Sequence, residues 1–237
     1  MSLISLKEVV KIYGSGQNEV KALGPVSIEI EEKTFTVVLG RSGSGKSTML
    51  NLLTGLDKIS SGELVVLDND LSLANSRDLA NYRSNIGIIF QSYNLLPNLN
   101  TIENVMMGAW AGGKEVDEKE VKELLNRFGL SHRTEANIKT LSGGEKQRVA
   151  ICRSLVAKPK ILFCDEPTGA LDTKNEDQVR DALLKLNKED EITVFMVTHN
   201  PDFAHFADTV IEMEDGLIKE IKTKQENFKP TQDSINL

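Results

Sequence analysis

The stretch Gly40-Arg41-Ser42-Gly43-Ser44-Gly45-Lys46-Ser47 narrows what this chain can fold into more than any other segment. It fits G-x-x-x-x-G-K-[ST], with Thr48 following, and it stands where that pattern has a physical meaning. The apolar run at residues 35–39 before it reads as a buried strand, and residues 46–56 after it read as a helix. Glycines let the backbone curl until successive N–H groups point at one centre, and the helix N-terminus adds partial positive charge. Such a loop cradles phosphate. Lys46 would neutralise β- and γ-phosphate oxygens, and the Ser47 hydroxyl would be a Mg²⁺ ligand. The bland alternative is a chance Gly/Ser turn ahead of a helix; the flanking strand and helix argue against it.

A second strand signal ends in acid. Ile161-Leu162-Phe163-Cys164 is apolar and Asp165-Glu166 follows directly. Carboxylates at the carboxyl end of a buried strand lie at the edge where α/β sheets bind ligands. Asp165 can hold Mg²⁺, usually through water. Glu166 can orient and deprotonate an attacking water. Alone, such an ending is as readily a strand end with solvated charges; beside a phosphate loop the chemical reading gains.

The rest of the chain supplies texture. Residues 4–10 and 26–30 alternate and read as strands around a plain turn at 14–18. Residues 86–90 and 192–198 read as further strands, and Val179, Ala182, Leu183 and Leu186 give a helical stripe. Between 102 and 139 lies a helical insertion, in which Val121, Leu124, Leu125 and Phe128 line one apolar face. Strands alternating with helices argue a parallel-type sheet with helices on its faces. From about residue 222 the chain is polar and aperiodic and reads as a mobile tail.

Composition bounds the setting. The 237 residues suit one large domain or a domain with a small subdomain, and the formal net charge of −7 argues against a nucleic-acid surface. No apolar run approaches the ~18–20 residues that span a bilayer, so no direct membrane insertion is expected. The start, MSLISLKEVV, lacks the basic head and apolar core of a signal peptide, and Cys152 and Cys164 are too few for a disulfide framework. The expectation is a cytosolic chain, with Cys164 a small buried thiol.

Between the two chemical motifs lies Leu141-Ser142-Gly143-Gly144-Glu145-Lys146-Gln147-Arg148. With the phosphate loop and the acidic pair, in that order, it makes the chain resemble the ATP-binding subunits of ABC transporters over residues 4–220. Ser-Gly-Gly at a helix start is a second anion site, and Ser142 with Glu145 is equally a capping box; the two readings are compatible. The resemblance implies an α/β fold of the P-loop NTPase type: a RecA-like core, an N-terminal antiparallel β-subdomain and an α-helical subdomain at about 95–160. It implies one ATPase domain over 1–222 and a polar tail at 223–237. It also implies ATP and Mg²⁺ as ligands, and a second ATPase chain, most simply an identical one. In the family the Ser142–Glu145 loop reaches across that dimer to the nucleotide on the partner's phosphate loop.

Further positions match the family one by one. Tyr13 corresponds to the aromatic residue that stacks on adenine, with Val20 beside the base. Gln91 corresponds to the glutamine that touches Mg²⁺ or water and senses the membrane subunit. Asp172 corresponds to the aspartate that meets the partner's phosphate loop, and His199 to the histidine on the γ-phosphate. His132 and His205 match nothing. Three departures stand out. Glu145 occupies a position where glutamine is commoner, which could weaken ribose contacts. Ile138 and Lys139 stand where proline is frequent, and Gly169 stands where serine is frequent, so one polar dimer contact is expected to be missing.

Residues 90–97, 101–105 and 167–172 look like the macrolide-export and lipoprotein-release branch, which also includes antimicrobial-peptide resistance and cell-division relatives and whose members often transmit force across the membrane. The resemblance therefore implies an ATPase subunit at the cytoplasmic face of a membrane, coupled to a separate permease. The competing expectation is a soluble, non-transport ABC ATPase such as a cluster-assembly scaffold. A single ATPase domain speaks against translation-type relatives, and the short segment 114–128 against repair-type ones.

Overall fold

The computed structural model describes residues 2–224. Two sheets and six helices build it. The antiparallel sheet runs β2 (Val20–Glu31), β1 (Ser2–Tyr13), β4 (Ser61–Val66), β5 (Asn69–Asp70). The second sheet runs β10 (Leu217–Thr223), β9 (Thr209–Glu214), β3 (Phe35–Leu39), β8 (Thr193–Thr198), β7 (Ile161–Asp165), β6 (Gly87–Ile89). From β9 to β6 every pairing is parallel; only β10 is antiparallel.

The apolar runs of β3, β7 and β8 follow from burial on both faces, the usual condition of a parallel sheet. Alternate residues serve different cores. Val37, Leu162, Cys164, Val194 and Met196 join the cluster beneath α3 (Thr101–Trp110), α4 (Glu118–Arg127), α5 (Gly143–Leu155) and α6 (Thr173–Lys188). Val38, Ile161, Phe163, Phe195 and Val197 join the other cluster, with the antiparallel sheet, α1 (Lys46–Leu53) and α2 (Ser76–Arg83). The parallel sheet is thus the middle layer. Both cysteines lie in the first cluster, free and buried, and burial pushes both thiols up.

Several expectations need correction. The helix after the phosphate loop ends at Leu53, not residue 56, because Gly55 takes a left-handed conformation (φ 64°) and stops it. Strands β1 and β2 are longer than the alternating stretches, since bulges in their pairing carry them past the polar residues that interrupt the pattern. The strand expected at 86–90 is Gly87–Ile89, and that at 192–198 begins at Thr193. Strand β10 continues through Thr223, where the tail was expected to have begun; residues 225–237 of that tail lie outside the described residues. The apolar face of α4 is as expected, with Val121 and Leu125 fully buried.

Candidate nucleotide site

The loop between β3 and α1 curls through two left-handed glycines, Gly43 (φ 82°) and Gly45 (φ 96°). At Gly45 a side chain would also strike the Ala22 carbonyl, 2.9 Å from where a Cβ would sit. Lys46, only 7% exposed, folds back and donates from Nζ to the carbonyls of Gly40 (2.7 Å) and Arg41 (3.1 Å). Among the described residues it has no carboxylate within ion-pair distance. A buried ammonium satisfied only by carbonyls is a site for an anion. The buried Ser44 hydroxyl in the same loop has no hydrogen-bond partner.

Facing the loop is the end of β7. Asp165 is half-buried and its carboxylate makes no hydrogen bond among the described residues; burial, then the adjacent Glu166 charge, raise its carboxyl, and Lys46 opposes them. Glu166 sits in the left-handed region (φ 45°), costly for a residue with a side chain. Neighbours over-determine that conformation. The Glu166 amide donates to the Val197 carbonyl (2.9 Å) and its carbonyl accepts from the Gly169 amide (3.1 Å). Its Oε2 accepts from the Thr198 hydroxyl (3.0 Å) and the His199 amide (3.2 Å), and lies 2.9 Å from His199 Nδ1. No described donor reaches Oε1. One carboxylate oxygen is clamped and the other is left for a ligand.

These groups line one open cleft of about 820 Å³. It brings together Val20, residues 41–48, Gln91, Asp165, Glu166 and His199. It does not include Tyr13, Ser142, Gly143, Gly144, Glu145 or Asp172. Tyr13 is 41% exposed on β1 and pairs across the strands with Val20; its hydroxyl donates to Asp57 (2.8 Å), and Lys11 Nζ stands 4.7 Å above its ring. One face of the ring is thus occupied by a cation. Asp57 is set by Lys11 (2.6 Å) as well, so Tyr13 has a fixed orientation.

Ser142 caps α5 in the expected box: its amide donates to Glu145 Oε2 (2.8 Å) and its hydroxyl accepts from the Glu145 amide (3.3 Å). Asp172 caps α6, accepting from the Asn175 amide (3.0 Å) and side chain (2.8 Å). Asn175 in turn lies against Gly144, where a Cβ would come within 2.0 Å of Asn175 Oδ1. A side chain at Gly144 would displace the Asn175 carboxamide from its place beside Asp172. Ile138 and Lys139, where proline is frequent, form a short 3₁₀ turn capped by Asn137.

Sequence reasoning missed several residues of this region. Lys21, Ala22, Asp215 and Gly216 also line the cleft. The signal for the last two was present: Asp-Gly between alternating stretches marks a two-residue hairpin, and both residues have the positive φ that turn demands (50° and 78°). Thr198 was readable only as a strand end; Asn175 and Asp57 left no local signal.

Ser47, Asp165 and Gln91 offer oxygens, which suits a hard cation. Among the described residues no three His, Cys, Asp or Glu side chains cluster as a metal cage. A site with one carboxylate fits Mg²⁺, which keeps waters and phosphate oxygens in its shell. The donor set and the anion cradle beside it fit Mg·nucleotide.

A phosphate loop opening a helix beside an acid-ended strand of a parallel sheet defines a nucleotide-hydrolysing P-loop protein. Its particular kind follows from comparison: residues 23–169, more than half the chain, match the ABC transporter family model, and the chain belongs to that family. It is an ATP-binding cassette and an ATPase.

It is 41% identical to the lipoprotein-releasing system ATP-binding protein LolD of Desulfotalea psychrophila, covering 93% of this chain and 100% of that one. It is 39% identical to the macrolide export ATP-binding/permease protein MacB of Chlorobaculum tepidum, over 94% of this chain but only 35% of that one. The methionine import ATP-binding protein MetN of Geobacillus kaustophilus is 41% identical, over 92% of this chain and 65% of that one. Among solved structures, the dimeric post-hydrolysis state of the cassette MJ0796 with ADP and phosphate superposes with a TM-score of 0.86 at 36% identity, covering 93% of this chain and 98% of that one. No helix of the described residues is long and apolar enough to cross a membrane.

Proposed function

We propose that this ATPase works as a pair of chains at the cytoplasmic face of a membrane and drives a separate permease of the macrolide-export and lipoprotein-release branch. One observation carries the reading: the cleft holds half of what grips a nucleotide. Lys46, Ser47, Gln91, Asp165, Glu166 and His199 surround it. Ser142, Gly143 and Gly144 form a second helix-start cradle that does not line it. A second chain, head to tail, completes both sites at once, and the dimeric form of the MJ0796 cassette supports the pairing.

In this reading Tyr13 stacks on adenine through the ring face that Lys11 leaves free, with Val20 beside the base. Amides of residues 40–48 and Lys46 hold the phosphates. Ser47, Asp165 and Gln91 hold Mg²⁺, which when bound draws charge from the phosphate oxygens. Glu166 takes the proton of the attacking water on Oε1, while Thr198 and His199 keep Oε2 fixed. The water oxygen then joins the γ-phosphorus as the bond to ADP breaks. Ser142 and Gly144 of the partner chain grip the same γ-phosphate, and Asp172 meets the partner's phosphate loop. Once that phosphate is cleaved these contacts lapse and the pair opens, a γ-phosphate switch. Gln91 and the helical segment carry the motion to the permease.

The branch rests on the stretches at 90–97, 101–105 and 167–172, with the LolD and MacB relatives in support; overall identity to the import relative MetN is no lower. That MacB joins ATP-binding and permease in one name supports a permease partner here.

Glu166→Gln tests the chemistry. Hydrolysis should fall roughly 10²–10⁴-fold, the usual share of a general base, and ATP should trap a dimer. Unchanged turnover removes Glu166 from the role. Co-purification from membranes with a multi-spanning protein supports the transporter reading; recovery of the chain only from the soluble fraction favours a cluster-assembly ATPase.

A further inference from the structure

We propose that Arg133 is a positioning residue of the Ser142 cradle: it neutralises Glu145, so that the loop can receive the partner chain's nucleotide phosphate. The inference rests on the dimer reading above.

The cradle contains an electrostatic contradiction. Its backbone amides invite an anion, yet the third residue of its helix is an acid. Glu145 is nine-tenths buried, and one carboxylate oxygen is bound by the Ser142 amide at 2.8 Å. Burial raises its carboxyl, but the Ser142 amide and Arg133 outweigh burial and hold it at about 2. Glu145 is therefore ionised at neutral pH. An uncompensated carboxylate one turn from a triphosphate would oppose binding, since like charges near a protein surface repel.

The second oxygen resolves the contradiction. Glu145 Oε1 accepts from Arg133 Nε at 2.8 Å. The other neighbour, His132, stands 3.7 Å from the same oxygen, is 66% exposed, and carries charge only when protonated. Arg133 is thus the permanent counter-charge. Its segment is anchored: the Ile102 and Thr101 amides at the start of α3 donate to the carbonyls of Thr134 (2.9 Å) and Ala136 (3.0 Å). The guanidinium is held over the cap by the helical segment, not by α5 itself.

The pairing is separable from the cap. Glutamine serves a capping box as well as glutamate does, so the box does not require the charge. Once Glu145 is charged, Arg133 becomes necessary; with glutamine there, Arg133 becomes dispensable.

The experiment uses the Glu166→Gln chain, with ATP-driven dimerisation followed by sedimentation. Adding Arg133→Ala should raise the ATP concentration needed for half-dimerisation about tenfold, the worth of a charged hydrogen bond. Arg133→Gln, which keeps a donor but not the charge, should do the same, and Arg133→Lys should lose less. Adding Glu145→Gln to Arg133→Ala should recover most of the loss. Binding of a fluorescent ATP analogue to the monomer, at the half-site of Lys46, should not respond to Arg133→Ala, and the melting temperature checks that each variant folds. Dimerisation unaffected by both Arg133→Ala and Arg133→Gln overturns the proposal, as does a loss that Glu145→Gln does not repair. A Glu166→Gln parent that stays monomeric in ATP overturns the dimer reading beneath it instead.

Discussion

Replacing Thr198 by valine removes one hydroxyl from beneath Glu166 and almost nothing else. The side chain is 1% exposed, and valine fills the same volume. The lost hydroxyl is one of two hydrogen-bond donors to Glu166 Oε2, with the His199 amide as the other and His199 Nδ1 2.9 Å away. A hydrogen bond to a charged group is worth about 1.5–3 kcal/mol. Because the His199 amide still holds Oε2, the lower end applies, and about 1.5 kcal/mol corresponds to about a tenfold fall in kcat. The same hydroxyl accepts from the Asn200 amide (3.1 Å), so stability should also drop by about 1 kcal/mol, or a few degrees in Tm. Steady-state Mg·ATP hydrolysis gives kcat, and equilibrium titration gives nucleotide affinity. The expected pattern is a lower kcat with unchanged affinity, restored by Thr198→Ser. A normal kcat in the presence of the Tm loss would refute the view that the clamp on Oε2 orients Oε1.

Two further outcomes follow from the site. Asp165→Asn should raise the Tm of the nucleotide-free chain while abolishing Mg²⁺-dependent hydrolysis. Its carboxyl is raised by burial and by Glu166, so the ionised form costs stability at neutral pH and costs none once acid protonates it; the Tm gain should therefore shrink as pH falls. Differential scanning calorimetry from pH 7 downwards checks the sign. Tyr13→Ala should weaken nucleotide binding more than it slows hydrolysis by the saturated enzyme, whereas Tyr13→Phe, which keeps the ring and loses only the bond to Asp57, should cost much less. Titration with ATP separates them, and equal effects from both substitutions would discard stacking.

What could be read from the sequence was what local chemistry encodes. The phosphate loop, the acidic pair and the Ser142 cap are each contiguous, and each carries its own strand or helix signal. Elements whose identity comes from partners left weaker traces. Strands β4 and β5, with α2, escaped notice: α2 is mostly polar, with Leu79 and Tyr82 its buried side chains, and β5 is two residues long. Nothing local places β3 between β8 and β9; that order is a property of the assembled sheet. The support of the site was hidden for the same reason. Thr198 and Glu166 are 32 residues apart, Tyr13 and Asp57 are 44 apart, and Arg133 meets Glu145 across a turn. The Leu53 helix end and the Asp215-Gly216 hairpin, by contrast, had glycine signals in plain view.

Gly216 occupies a place in the fold that reaches beyond turn geometry. Its carbonyl accepts from the Gly24 amide on β2 (2.8 Å), and its own amide donates to the carbonyl of Ser44 in the phosphate loop (3.1 Å). The three backbones are wired in series. The antiparallel sheet that carries Tyr13 and Val20 and the loop that carries Lys46, the two readers of the nucleotide in the proposed function, are therefore joined through one backbone. In the proposed reading, a displacement of β2 when a base settles beside Val20 would reach Ser44 through two hydrogen bonds, both made by the Gly216 backbone. On that reading base and phosphate would be weighed on a single beam, with Gly216 as its pivot.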